Sequence, residues 1–576
     1  KTVHLARERP DSSKRYRFNH SLTRETLYTG LAAAERIRLH GRAGSALAEL
    51  EPQDESSVLA ELAHHFTQAA PAGGTERAVE YSTRAAERAQ AQLAWEAAAT
   101  HYQRALQALD LAGPDEELRC QLLLGLGDSQ WGTGQGEAAR DTLLRASVIA
   151  RSLALPDLFA RATLGFGLWD VDDTVDHTLV KLLQEALQAL PRTDSALRAR
   201  VLGRLARELR TAAPWERLRE LSNEAIEMAR RVDDPRALAD VLVARHLALW
   251  GPENTEDRFA TAVEIVRLAE RIDAKGLALQ GHQFRLADLL ELGDVTGVDL
   301  ELDAIAWMAS EFRMPQHLWF TSLFRAMRAH LNGRFEEARD SAQHARDQGE
   351  LVHPQTASQW FGIQLTALYR ERGEFEELDR LLDEFVRRQP WIATWRCARI
   401  LIRLLSGKRE AASREFEAIA ARNFADLRRD ATWLAAATYL AEICSLLDDA
   451  TRAGHLYTLL RPHAGRAVSI GPGVICLGSA ARYLGLLAAT LGRFDAAEAF
   501  FEEALKQNTA MGARPPLART QFDYAQMRLQ RGEAKARDHE RARELAAEAL
   551  TTASEVGMPE LARRIQSFNL KFEGRT

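Results

Sequence analysis

Along almost the whole chain, a turn residue is followed at once by an Ala- and Leu-rich stretch whose apolar positions return with a helical period. These openings are Pro114, Pro156, Ser195, Pro235, Gly276, Pro315, Pro354, Pro390, Asp430, Pro472, Pro515 and Pro559, spaced 36 to 44 residues apart. A period of that size marks a repeat array, in which no unit buries its apolar face alone and each stacks on its neighbours. Within a unit the pattern reads helix, short turn, helix. In 484–505, small Gly485 permits close approach of a partner helix and Gly492 supplies a turn where positive φ is cheap. Ala497, Phe501 and Ala504 then recur at i, i+4 and i+7 on one face of the second helix. Leu126, Gly127, Gly134, Ala139, Leu143 and Ala146 repeat those offsets, and Ala326, Gly333, Ala338, Ala342 and Ala345 do so more weakly. Gly373 and Gly407 read as further turns. Few segments alternate with period two, so almost no sheet is expected. The fold class that follows is all-α: a right-handed α-solenoid of helix pairs, about 40 residues per repeat.

Composition agrees. A chain of 576 residues exceeds one globular core, and 46% hydrophobic with 27% charged residues suits a folded protein. The net charge of −6 and pI near 6.3 give no reason to expect nucleic acid or an anionic membrane as partner. Cys120, Cys397, Cys444 and Cys476 fall on different repeats in apolar stretches and form no CxxC pair, which predicts free buried thiols in a reducing compartment. The first residues have no signal-peptide core, and the chain opens with Lys1, as part of a longer polypeptide would. The most membrane-like stretch, 467–492 with Arg482 as its only charge, is broken by Pro472 and several glycines and reads as a buried helix pair. The expected location is cytoplasmic.

The Leu-Gly pair, turn Gly, Ala, Phe and Ala of 484–504 resemble the tetratricopeptide repeat family, whose unit is shorter than the repeats here. The match is close at 126–146 and 484–505, modest at 326–345 and poor at 195–225. The N-terminal segment differs. Phe18, His20, Arg24, Glu25 and Tyr28, followed by Arg38-Leu39-His40, are similar to the segment just after the nucleotide-binding domain of large bacterial ATP-dependent regulators of the AAA-like or STAND type. Such proteins include LuxR-type activators and proteins with an adenylate cyclase domain. The stretches 60–70, 78–109 and 466–505 fit the array that follows in them. The resemblance implies two regions: 1–58, the end of a preceding winged or helical module, and 59–576, the repeat superhelix. It also implies a non-catalytic sensor array that binds a partner protein, its own upstream ATPase module or a small inducer on the concave face. The alternatives are a regulatory arm of an adenylate cyclase and a free-standing scaffold.

The chemistry that is missing points the same way. No GxxxxGK[ST] loop is present, since Gly407-Lys408 lacks the preceding glycine and the Ser/Thr. No HExxH or GxSxG occurs. His64 and His65 are adjacent, so on a helix they diverge by about 100° and cannot chelate one ion. The Asp-rich stretch 169–177 lacks the glycine and distal Glu of a calcium loop and reads as an inter-helix loop. Gly471, Gly473 and Gly478 have the composition of an anion cradle, but with no strand expected before them they read as a tight turn into a first helix. No cofactor, no metal and no direct nucleic-acid contact are expected; the chain ends on a repeat, without a helix-turn-helix module.

Tryptophan marks the candidate binding surface. Trp307, Trp319, Trp360, Trp391, Trp395 and Trp433 cluster in one quarter of the chain. Trp319, Trp360, Trp391 and Trp433 are assigned to the first helices of successive repeats. They read either as wedges between helices or as a ladder on the concave face, where Trp anchors partners. Arg396, Arg399 and Arg403 recur at helical spacing and would supply polar contacts to a groove centred on 315–435.

Overall fold

The computed structural model describes residues 6–8, 16–18, 21–49, 58–166, 175–312, 315–531 and 536–573. The chain divides into two compact units: one of residues 1–170 with 182–191, the other of 171–181 with 192–576. The division therefore falls well past residue 58, and the segment expected to be a separate linker clusters with the first repeats.

In the first unit a short hairpin, β1 (Ala6–Glu8) against β2 (Tyr16–Phe18), precedes α1 (Ser21–Thr29) and α2 (Ala33–Glu49). Then come α3 (Leu59–Ala69), α4 (Thr75–Ala91), α5 (Trp95–Ala112), α6 (Glu116–Gly132), α7 (Gly136–Ser152) and α8 (Pro156–Gly165). From α2 onward each helix packs on the next. The close approach read from 126–146 is present: a methyl on Gly127 would meet Leu143 Cγ at 2.5 Å. Helix α9 (His177–Ala189) straddles the division.

The second unit holds nineteen helices among the described residues. It opens with α10 (Ala196–Glu208), α11 (Trp215–Val232), α12 (Pro235–Ala248), α13 (Thr255–Arg271), α14 (Lys275–Leu292) and α15 (Val295–Glu311). It continues with α16 (Pro315–Leu331), α17 (Phe335–Glu350), α18 (Pro354–Arg372), α19 (Phe375–Arg388), α20 (Ala393–Leu405) and α21 (Arg409–Ala420). After α22 (Trp433–Leu447) and α23 (Ala450–Leu460) comes a hairpin, β3 (Ala467–Ile470) against β4 (Ile475–Ser479). The unit ends with α24 (Ala480–Thr490), α25 (Phe494–Ala510), α26 (Arg514–Gln530), α27 (Ala536–Val556) and α28 (Pro559–Glu573).

Even-numbered helices are the first of each pair. Their starts fall where the turn residues predict. Proline opens α12, α16, α18 and α28, where its missing N–H would be unsatisfied anyway. The Ser195 hydroxyl and Asp234 carboxylate accept the first free backbone N–H groups of α10 and α12. Ala497, Phe501 and Ala504 are fully buried, and a methyl on Gly485 would come within 2.9 Å of the Phe501 ring.

One opening is corrected. Pro472 begins no helix: it lies in the turn of the β3–β4 hairpin, and the helix starts only at Ala480. A strand does precede the glycines of 471–478, and the stretch 467–492 is a hairpin plus one helix, not a helix pair. The hairpin has a structural role that no repeat consensus contains. First helices α14, α16, α18, α22 and α26 all pack against it. Its inward side is closed by Phe324 and Leu286 around Gly473, and Gln364 donates from Nε2 to both Leu323 O and Val474 O at 3.0 Å. Beyond the hairpin, α16 meets α26 and α18 meets α28. First helices are therefore covered on two sides, by their own second helices and by the hairpin or a distant first helix. Helix α22 shows the result, with every residue from Trp433 to Cys444 buried.

Successive turns of the chain also touch at their edges. A methyl on Gly333 would lie 2.7 Å from Val556, and one on Gly373 2.7 Å from Glu560. Both glycines have φ near +77°, at 78° and 76°, so the residue that closes the helix pair is also the one that lets a distant turn sit on it.

Candidate functional site

The predicted tryptophan ladder is mostly interior. Trp319 on α16 and Trp360 on α18 are 1% and 4% exposed, and their rings stack at 5.0 Å. Gly349 at the end of α17 lies so close that a methyl there would be 2.7 Å from the Trp319 ring. Trp433, the first residue of α22, is 3% exposed, edge-on to His463 at 5.5 Å with Arg429 over its face. Trp391 is 47% exposed, but it lies in the turn before α20 rather than in a helix. The four rings do not share an accessible face. Three fill core positions: Trp319 and Trp360 are wedged against each other and Phe320 between neighbouring helices, and Trp433 packs on His463.

The arginines of α20 are likewise engaged. Arg399 donates to Asp383 and Glu415 at 2.8 Å each. Arg403 reaches Asp379 at 2.9 Å, Asp383 at 2.8 Å and also Glu415, while Lys408 completes the set on Asp379 at 2.7 Å. Burial works against the charge on Asp379, but hydrogen bonds from Lys408 and Arg403 outweigh it and hold the carboxyl below its ordinary pKa. These cations bind α19 and α21 to α20. Arg396 is half-buried, with its Nε buried and unpartnered.

A polar seam missed by the sequence reading runs through the interior of the second unit. Arg370 on α18 donates to Glu442 on α22 at 2.7 Å. Arg482 on α24 bridges Glu442 at 3.0 Å and Asp523 on α26 at 2.7 Å. Arg519 on α26 reaches back to Glu371 on α18 at 2.7 Å. Burial opposes the charge of Glu442, yet Arg370 and Arg482 together drive its pKa far below the carboxylate range. Beside the seam, Ile363, Ala367, Trp395, Tyr439, Ile470 and Ile475 surround a cavity of about 30 Å³. That is room for a water, and well short of the roughly 300 Å³ at which ligand pockets begin.

At the N-terminal end, the Tyr28 hydroxyl meets His40 Nε2 at 2.9 Å and His40 Nδ1 meets His65 Nδ1 at 2.8 Å. The string and the Arg-Leu-His that carry the resemblance are thus joined in space, while His20 and the Phe18 side chain lie outside the described residues. Burial first, then neighbouring positive charge, lowers the pKa of His40, His64 and His65. Among the described residues no group of three His, Cys, Asp or Glu side chains is arranged to hold a metal ion. Most of the Asp-rich stretch 169–177 lies outside the described residues. All four cysteines are free and buried, and no helix among the described residues is long and apolar enough to cross a membrane.

The outward helices carry a feature that the sequence reading counted in the tryptophan cluster without assigning it a face. Trp307 on α15, a second helix, is 66% exposed, and Leu300, two turns earlier, is 68% exposed. The amphipathic count of α15 contained the signal: Val298, Ile305 and Ala309 define its buried stripe, and 300 and 307 fall opposite.

No protein-family model and no curated protein matches the chain. Solved structures do match. The hetero-tetramer Cut9–Hcn1 of the APC/C is 15% identical over 95% of this chain and 99% of that one, with a TM-score of 0.48. A STAND signal-transduction ATPase with a tetratricopeptide repeat sensor, from Pyrococcus horikoshii, is 12% identical over 71% of this chain and 55% of that one, with a TM-score of 0.32. Yeast Tom70 is 14% identical over 91% and 97%, with a TM-score of 0.27. At such identities and scores these likenesses bear on neither activity nor partners, and the all-α repeat fold stands on the helices described above.

Proposed function

We propose that this chain is a non-catalytic interaction array, the sensor and partner-binding region of a bacterial signal-transduction ATPase or ATP-dependent transcription regulator. The observation that carries the reading is the repeated packing of helix pairs within each unit, with a buried seam of ion pairs joining first helices in the second. Arrays of this kind hold partners over extended surfaces rather than in a single catalytic pocket. The juxtaposition of Tyr28 and His40 supports placing the array just after a nucleotide-binding module, because the residues that carry that resemblance are built into one junction. A partner on the inward face would have to displace the hairpin, so the outward helices are the better candidates for first contact. A partner that binds two arrangements of the array with different affinity would bias an off-to-on equilibrium in the attached module.

The test is the polypeptide encoded upstream of Lys1. A nucleotide-binding module there, whose ATP turnover changes when the array is disrupted by Phe501→Ala, supports the proposal. A start codon close upstream of Lys1, with no nucleotide-binding module before it, or ATP turnover by the 576-residue chain alone, overturns it.

A further inference from the structure

We infer that the outward face of α15 is a docking surface for a basic amphipathic helix of a partner protein. The inference rests on reading the chain as an interaction array, and it names the surface. Among the described residues, α15 is the one helix from α10 to α27 with two exposed large apolar side chains. Leu300 and Trp307 lie seven residues apart, two turns and about 10 Å along one line of the helix, opposite its buried stripe. Trp307 is steadied edge-on by Phe312 at 6.5 Å. An exposed, pre-oriented indole is the side chain most often found anchoring a partner.

Charge decides what kind of partner fits. Helix α15 has four carboxylates and neither Lys nor Arg. Two of the carboxylates are internally neutralised. Arg328 grips Asp299 at 2.7 Å, and His282 and Arg285 each reach Glu301 at 2.6 Å. The other two, Asp303 and Glu311, are exposed, make no ion pair among the described residues and lie one turn before and after Trp307. Lys275 is held over the Phe312 ring at 4.6 Å. The outward line of the helix thus alternates apolar and acidic side chains: Leu300, Asp303, Trp307 and Glu311. A helix with apolar residues at heptad spacing and Arg or Lys beside them matches both properties. An anionic membrane is repelled by the same carboxylates, and a second copy of α15 would bring like charges together.

The test uses the full chain and three synthetic three-heptad peptides titrated by fluorescence anisotropy. One is a basic amphipathic helix with Leu at the a and d positions. The second has the same apolar face with Glu replacing every basic residue. The third is the basic composition with its leucines scattered around the helix. The expected result is binding of the first peptide, weakened at least about tenfold by Trp307→Ala and by the pair Asp303→Lys with Glu311→Lys. The acidic and scrambled peptides are expected to bind at least about tenfold more weakly than the first. Because both altered sites are exposed, the circular dichroism and thermal midpoint of the variants should match the parent. Equal binding of the basic and scrambled peptides overturns the inference, as does binding indifferent to Trp307, or none. Sedimentation showing self-association that Trp307→Ala abolishes overturns it in favour of a second copy. Loss of peptide binding with an intact effect of the array on an upstream ATPase sinks this surface alone. Peptide binding with no upstream ATPase leaves the surface and removes the signalling role.

Discussion

Glu442→Gln probes the seam that holds the first helices together. The change keeps shape and removes charge. In the parent, Glu442 accepts from Arg370 at 2.7 Å and Arg482 at 3.0 Å, all three buried. Arg482 retains Asp523 at 2.7 Å, but among the described residues Arg370 has no second carboxylate in hydrogen-bond contact, since Glu371 is taken by Arg519. Breaking a buried pair by removing one partner costs about 3 to 5 kcal/mol, and the surviving Asp523 contact argues for the lower end, about 3. Hydrogen exchange of α18, α22 and α24 in the full chain should therefore speed up by about two orders of magnitude. Arg370→Met added to Glu442→Gln should recover a large part, because an apolar residue no longer needs the missing charge. The seam also has an acid signature. The folded pKa of Glu442 lies below the ordinary value of 4.5, so its contribution is complete above that pH and is lost as the pH falls below it. The Gln variant should lack this component. A loss below about 0.5 kcal/mol, or no recovery in the double variant, would refute the assignment of the seam as the tie between α18, α22 and α24.

Phe501→Ala should cost about 3 to 5 kcal/mol, read as lost exchange protection in α24–α26 while the first unit stays protected. Gly333→Ala, with positive φ and Val556 2.7 Å from the new methyl, should cost more than Gly407→Ala, which meets open space and pays about 1 kcal/mol for its backbone alone; equal thermal shifts would deny the turn-on-turn contact. In native protein at pH 8, iodoacetamide should leave Cys397 and Cys476 unmodified, since burial pushes their thiols up to about 12 and about 11, and should label both after unfolding. Exchange protection in α1–α3 should hold above pH 6.5 and fall below it, because His40, His64 and His65 have lowered folded pKa values and the unfolded chain takes up protons first; a pH-independent junction would contradict this.

The array was legible because its signals are local. Pro156, Pro235, Pro315, Pro354 and Pro559 each open a helix, and the Ala497–Phe501–Ala504 stripe points inward as its spacing requires. Pro472 misled because it kept the repeat interval, although Ala467–Ile470 and Ile475–Ser479 are short, largely apolar runs either side of Gly-Pro-Gly, a pattern a hairpin also fits. The direction of the tryptophans was not available locally. Trp319 and Trp360 turn toward each other between adjacent helices, and farther along α18 the face is met from far along the chain, as the Gln364–Val474 hydrogen bond shows. The spacing of Arg399 and Arg403 was right for one helical face, but their partners Asp379, Asp383 and Glu415 sit on flanking helices that periodicity within α20 does not reveal.

The contacts of Gly333 with Val556 and of Gly373 with Glu560 join positions roughly five repeats apart. An open array can gain or lose whole units during evolution, since each contacts only its neighbours. Here, duplicating or deleting a single unit between α19 and α26 would move every later turn out of step with the glycine that receives it, and would unseat the hairpin as well. Copy number in the second unit is thus a folded-state constraint, and homologous arrays that keep these glycines should keep the same count of helices between them.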